Sequence, residues 1–227
     1  MTAAAKPALK RLAAVLLFAG ASAGAAADAP DTAPPGAVEG ARAQEQPQAG
    51  LGAVLGELRN GGLVIYFRHT ATEQSSATDE AADLGRCETQ RPLSAEGRAQ
   101  AQAIGKSVKA LGIPIGRVEA SPFCRTKDAA RLAFGRFAVN ADLSFVISTD
   151  AAETERLGNS LRRMLSTPPA RGTNTVLVSH SANLREAAGI FAKPEGVAYV
   201  FRPLAGGGFK AIATILPGDW ARAAAKR

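Results

Sequence analysis

Histidine and cysteine are scarce in this chain of 227 residues, which holds two of each. His69, His180, Cys87 and Cys124 would suffice as four ligands by count, yet their spacing matches no zinc-finger pattern, so no metal site is expected. No apolar run is long enough for a membrane-spanning helix, which needs roughly 18 residues. Internal repeats are absent, and the arginines are scattered rather than striped, which argues against a nucleic-acid-binding surface. The N-terminal end lacks acids altogether. Residues 1–11 carry Lys6, Lys10 and Arg11, the apolar run Leu12 to Ala21 follows, and "ASAGAAADAP" offers small-residue cleavage sites.

That order reads as a secretory signal peptide over residues 1–27, cleaved near Ala25 or Ala27, with a retained anchor as the alternative. A periplasmic or secreted protein with no membrane span in its mature form is expected. Residues 28–50 are rich in Ala, Pro, Gln and Gly without apolar periodicity, and read as a disordered linker. Losing the three cations of the signal lowers the formal net charge from +7 to +4. The basic end "ARAAAKR" reads as a frayed tail rather than a binding arm.

From Leu51 onward there is one domain's worth of chain (residues 51–227), alternating between two periodicities. "LVIYF" (63–67) and "TVLVS" (175–179) are short continuous apolar runs, as expected of strands buried on both faces. Ser94 is placed to cap a helix in which Ala101, Ile104, Val108 and Leu111 share a face. A brief strand is expected over 118–120, then a helix from "CRTKDAARLAF" closed by Gly135, and a further helix capped by Thr149 or Asp150. "VAYVFRPL" and "FKAIATIL" flank three glycines and predict an antiparallel edge hairpin. The fold class is therefore α/β, a mostly parallel central sheet with helices on both faces.

Both histidines follow the C-terminal ends of predicted central strands, where open α/β sheets bind ligands. Arg68 precedes His69, and Arg125 in "SPFCRT" follows the short strand at the same sheet edge. Guanidinium groups match phosphate oxygens and stay charged, so two arginines and two histidines there suit a tetrahedral dianion.

"FRHTAT", "SPFCRTKDAA" and "VLVSHS", in that order, resemble the histidine phosphatase superfamily, with the phosphoglycerate-mutase-like fold. "QRPLSAEGRAQAQAIG" resembles its first-helix segment, and the exported, cysteine-bearing chain looks most like a periplasmic branch that includes lipopolysaccharide core heptose phosphate phosphatases. The resemblance implies a nucleophilic His69 that forms a phosphohistidine, with Arg68, Thr72, Arg125 and His180 holding the phosphate and no cofactor. A small phosphorylated substrate follows from it, a phosphosugar first among the possibilities.

Two positions depart from that pattern. Thr70 stands where the family has glycine, and Ser181 where some members carry an aspartate. Asp150 is the candidate acid, with helix capping as its competing role; Glu153, Glu155 and Glu186 are the other carboxylates considered. An even cysteine count in an exported chain predicts a Cys87–Cys124 bridge near the pocket, two unpaired thiols being the alternative. A working phosphatase and an idle phosphoryl-binding domain both fit the sequence.

Overall fold

The structure, a computed structural model, describes residues 46–74, 79 and 82–226. The expected signal peptide and residues 28–45 of the expected linker lie outside them. β1 (Val64–Arg68) runs parallel to β4 (Asn174–Ser179), β4 to β2 (Ile115–Ala120), and β2 to the two-residue β3 (Ala138–Val139). On the other side of β1 come β5 (Ala198–Pro203) and β6 (Phe209–Ile215), an antiparallel hairpin that completes the order β3-β2-β4-β1-β5-β6. The mostly parallel sheet and its edge hairpin form as the sequence predicts.

Side-chain alternation divides each central strand between two cores. Ile65, Phe67, Val176 and Val178 pack with residues of α1 (Leu51–Asn60), α2 (Ala95–Ala110), α3 (Cys124–Phe134) and α6 (Pro217–Ala224). Val64, Tyr66 and Leu177 pack with α4 (Ala151–Ser166) and α5 (Ser181–Ala188) instead. Because helices cover both faces, the strands must be apolar at consecutive positions, which is why their runs are unbroken.

Local chemistry sets the helix ends. Ser94 Oγ accepts the Gly97 N–H (3.0 Å) at the start of α2, and Gly135 closes α3 in the left-handed conformation (φ 74°). α3 has no side-chain cap at Phe123. The buried Gln90 supplies the missing acceptor, its Oε1 taking the Cys124 N–H at 2.8 Å.

Two expectations need correction. "ARAAAKR" is not frayed throughout: α6 starts at Pro217, buries Trp220 and remains helical to Ala224. Proline suits that first helical position, where its missing N–H would have had no partner. The linker boundary also moves, because residues 46–50 lie along the sheet edge: Ala49 O accepts the Thr214 N–H (2.9 Å) and Pro47 O the Thr214 hydroxyl (3.0 Å). Among the described residues no helix is long and apolar enough to cross a membrane.

Candidate active site

β1 and β4 end in register, Arg68 beside Ser179, so His69 and His180 leave the sheet together. The His69 N–H donates to Ser179 O (3.1 Å), and the Ser121 N–H, just past β2, donates to Val178 O (3.0 Å). Three chain exits are thereby tied to one edge. The two imidazole centroids are 5.4 Å apart.

Each ring's partners fix its tautomer. His69 Nδ1 lies 3.0 Å from Thr70 O, an acceptor only, so Nδ1 carries the hydrogen and Nε2 the lone pair. Nε2 has no hydrogen-bond partner among the described residues. His180 Nδ1 lies 3.1 Å from Arg125 Nη2, which can only donate; Nδ1 therefore accepts, and Nε2–H donates to Ser121 Oγ at 2.9 Å. Burial is the main cause that holds both imidazoles well below the ordinary value of 6.5, with the charge of Arg125 next and the charges of Arg68 and Arg91 adding to it. Both rings are neutral at physiological pH. Glu195 Oε1 lies 4.0 Å from His69 Nδ1, within ion-pair range, but the burial of a ring only 2% exposed and the three nearby guanidiniums keep this from being a salt bridge at rest.

Arg125 sits in the first turn of α3 and is 1% exposed. Its Nη1 donates to Asp79 Oδ1 (2.6 Å), and its Cζ lies 4.7 Å from the centroid of the Phe123 ring. Arg68 Nη1 donates to Ala192 O (2.8 Å) and its Nη2 to Glu195 Oε1 (3.2 Å). Burial lowers the pKa of both guanidiniums, yet they stay charged. Arg91 brings a third, its Nη2 3.7 Å from Asp79 Oδ2. Among the described residues, the Nε atoms of Arg68, Arg91 and Arg125 are all buried without a hydrogen-bond partner. The charges of all three guanidiniums act on both histidines, Arg125 Nη2 bonds to His180, and the N-termini of α3 and α5 begin beside them. Such an arrangement attracts an anion.

Of the residues expected at the site, the structure brings His69, His180, Arg68 and Arg125 together. The remaining expectations fare differently. The Thr72 N–H and hydroxyl both go to Glu195, at 2.9 and 3.1 Å, rather than facing an anion. Asp150 is the N-cap of α4, its Oδ1 accepting the Glu153 N–H at 2.8 Å, and it makes no contact with the histidines among the described interactions. Glu153 is occupied by Arg156. Glu155 and Glu186 line a surface hollow that contains none of the four central residues. Cys87 and Cys124 are joined, which ties the Arg91 loop to the start of α3. Among the described residues no cluster of three or more His, Cys, Asp or Glu could hold a metal.

The sequence left Arg91, Asp79 and Glu195 without a role. Arg91 lies inside "QRPLS", which had carried only a resemblance, and nothing in the spacing connects the loop acid Glu195 to His69.

The sequence model of the histidine phosphatase superfamily (branch 1) matches residues 64–145, just over a third of the chain, and supports a histidine-dependent phosphatase. No curated protein matches. Among solved structures, the protein histidine phosphatase SixA complexed with tungstate is 15% identical, with 68% of this chain and 97% of that one covered and a TM-score of 0.47. Phosphoserine phosphatase from Entamoeba histolytica, in complex with 3-phosphoglyceric acid, is 13% identical over 67% of this chain and 95% of its own, with a TM-score of 0.47. A mycobacterial glucosyl-3-phosphoglycerate phosphatase is 15% identical over 62% and 89%, with a TM-score of 0.43. Likenesses this distant carry no functional weight.

Proposed function

We propose, starting from a chain whose residues 64–145 match the histidine phosphatase superfamily, that this protein is a metal-independent phosphomonoesterase acting through a phosphohistidine at His69. One observation carries the reading. Among the described residues, a neutral imidazole with an unengaged Nε2 stands among three guanidiniums whose Nε atoms are buried and without a hydrogen-bond partner.

The chemistry runs in two steps. His69 Nε2 attacks phosphorus, the bond to the leaving oxygen breaks, and water then cleaves the N–P bond to release phosphate. Phosphoryl transfer asks the protein for positioning and for cations around the non-bridging oxygens. Arg68, Arg91 and Arg125 supply fixed charge in a water-poor site, while His180, anchored by Ser121 and Arg125, forms the wall beside His69. Asp150, as a helix cap, is not assigned the acid's role.

The Cys87–Cys124 bridge and the signal-like N-terminus support an exported enzyme, in the periplasm or outside the cell. A phosphosugar substrate, as for the heptose phosphate phosphatases that the sequence resembles, suits that compartment. The purified protein is expected to hydrolyse p-nitrophenyl phosphate with or without EDTA, and His69→Ala to abolish turnover. Turnover that disappears with EDTA, or that persists in His69→Ala, would refute the reading. Vanadate binding without any turnover would leave an idle anion-binding domain in its place.

A further inference from the structure

We propose that Glu195 is a positioning residue for the nucleophile, supplying the counter-charge to the cationic ring that His69 becomes when it carries a phosphoryl group. The inference rests on the phosphohistidine reading above and adds a role to a residue that the reading does not use.

The geometry comes first. Glu195 precedes β5, where the Gly196 N–H donates to His69 O (2.9 Å) and the Arg68 N–H to Val197 O (3.0 Å), so this loop and the His69 segment are joined. Its carboxylate accepts the Thr72 N–H and hydroxyl and Arg68 Nη2, which leaves Oε1 4.0 Å from His69 Nδ1. Phosphorus bonds to Nε2, on the opposite side of the ring. Glu195 therefore stands behind the nucleophile and does not occupy the place of the phosphoryl group.

Bond formation then creates a charge. Nε2 gives its lone pair to phosphorus, and the electrons of the breaking P–O bond leave with the leaving oxygen. Nδ1 keeps its proton, donated in a hydrogen bond to Thr70 O, so the neutral imidazole becomes an N-phosphoimidazolium. When water attacks phosphorus, the N–P pair returns to Nε2 and the ring is neutral again. The groups that face His69 are Arg68 at the end of β1, Arg91 before α2, Arg125 on α3 with Asp79 bonded to it, His180 after β4, and Glu195 before β5. Burial and three guanidiniums favour the resting neutral ring and oppose the cationic one. Glu195 is the carboxylate held against Nδ1, where it opposes that bias without taking the proton.

The test uses p-nitrophenyl phosphate, whose leaving group departs without a proton, and follows phosphohistidine formation and breakdown by rapid quench. Glu195→Gln keeps the shape and loses the charge. It is expected to slow phosphohistidine formation about 100-fold while vanadate affinity changes less than about threefold. Breakdown needs the cationic ring and falls as pH rises through its pKa. Without the carboxylate that pKa drops, so the fall should move about one pH unit lower in Glu195→Gln. Glu195→Asp retains the charge and should keep the unshifted profile with a loss under about tenfold.

Equal damage to vanadate binding and to rate in Glu195→Gln, or the same pH shift in Glu195→Asp, would overturn the proposal. Should Glu195→Gln fail to fold, Glu195→Asp decides it, because its shorter side chain draws the carboxylate back from Nδ1: formation slowed severalfold with vanadate affinity and pH profile unchanged supports the charge role, and an unchanged formation rate or a shifted profile removes it. Wild-type protein that turns over substrate without forming a phosphohistidine would instead refute the underlying reading. A normal wild-type burst with an unaffected Glu195→Gln refutes only the inference.

Discussion

At the residue scale, the site separates what spacing can reveal from what it cannot. His69 and His180 were legible because each ends an apolar strand run, and a strand end has a known place in an α/β sheet. Arg91 was not, because it lies in an irregular segment before α2 and its position depends on the disulfide and on Gln90, both of which fasten that segment to α3. Among the described residues its Nε, like those of Arg68 and Arg125, is buried and has no hydrogen-bond partner. If Arg91 is the third cation of the phosphoryl pocket, Arg91→Ala should weaken vanadate binding about 100-fold, the worth of one or two charge-assisted hydrogen bonds. Arg91→Lys, with the charge but not the fork, should cost about tenfold. Both are read from vanadate inhibition of p-nitrophenyl phosphate hydrolysis; unchanged inhibition in Arg91→Ala would remove Arg91 from the pocket.

At the element scale, the helices and strands with clear periodicity or caps were readable, and the shortest were not. α1 shows Leu51, Val54 and Leu58 on one buried face, but Gly52 and Gly56 interrupt its propensity and hide the signal. β3 has two exposed residues and no pattern to read. Close approach between elements is also invisible in a sequence. A Cβ on Gly97, in the first turn of α2, would lie 1.9 Å from Ala71 O, next to the Thr70 carbonyl that holds His69 Nδ1. The backbone of the nucleophile's loop would have to shift. Gly97→Ala should therefore destabilise by about 1–3 kcal/mol and also lower kcat. Gly52→Ala, whose Cβ would meet nothing within 4 Å, should stabilise α1 by about 0.5–1 kcal/mol and leave kcat alone. Thermal melts and steady-state rates on the pair distinguish loss of fit from mere helix propensity.

At the scale of the whole molecule, the sheet carries its reactive end inside the fold: His69 and His180 are 2% and 1% exposed, and folding holds both neutral. The unfolded chain binds protons on these histidines as pH falls through about 6.5, whereas the folded protein does so only well below that. The sign follows: their contribution is complete above about pH 6.5 and is lost as pH falls from there towards the depressed folded values. With both rings neutral, the loss approaches about 2.7 kcal/mol per pH unit, at about 1.36 kcal/mol for each proton. Asp142 and Glu153, whose pKa values folding lowers from 3.8 and 4.5, contribute at lower pH, so the interval from about pH 6.5 to 5 reports mainly the imidazoles. Melting temperature should fall across that interval, and His180→Asn should remove about half of the slope. A melting curve flat from about pH 7 to 5 would mean that the folded protein protonates its histidines as readily as the unfolded chain does. His69 would then be cationic in mild acid with its lone pair gone, and the neutral nucleophile on which the two-step chemistry depends would go with it.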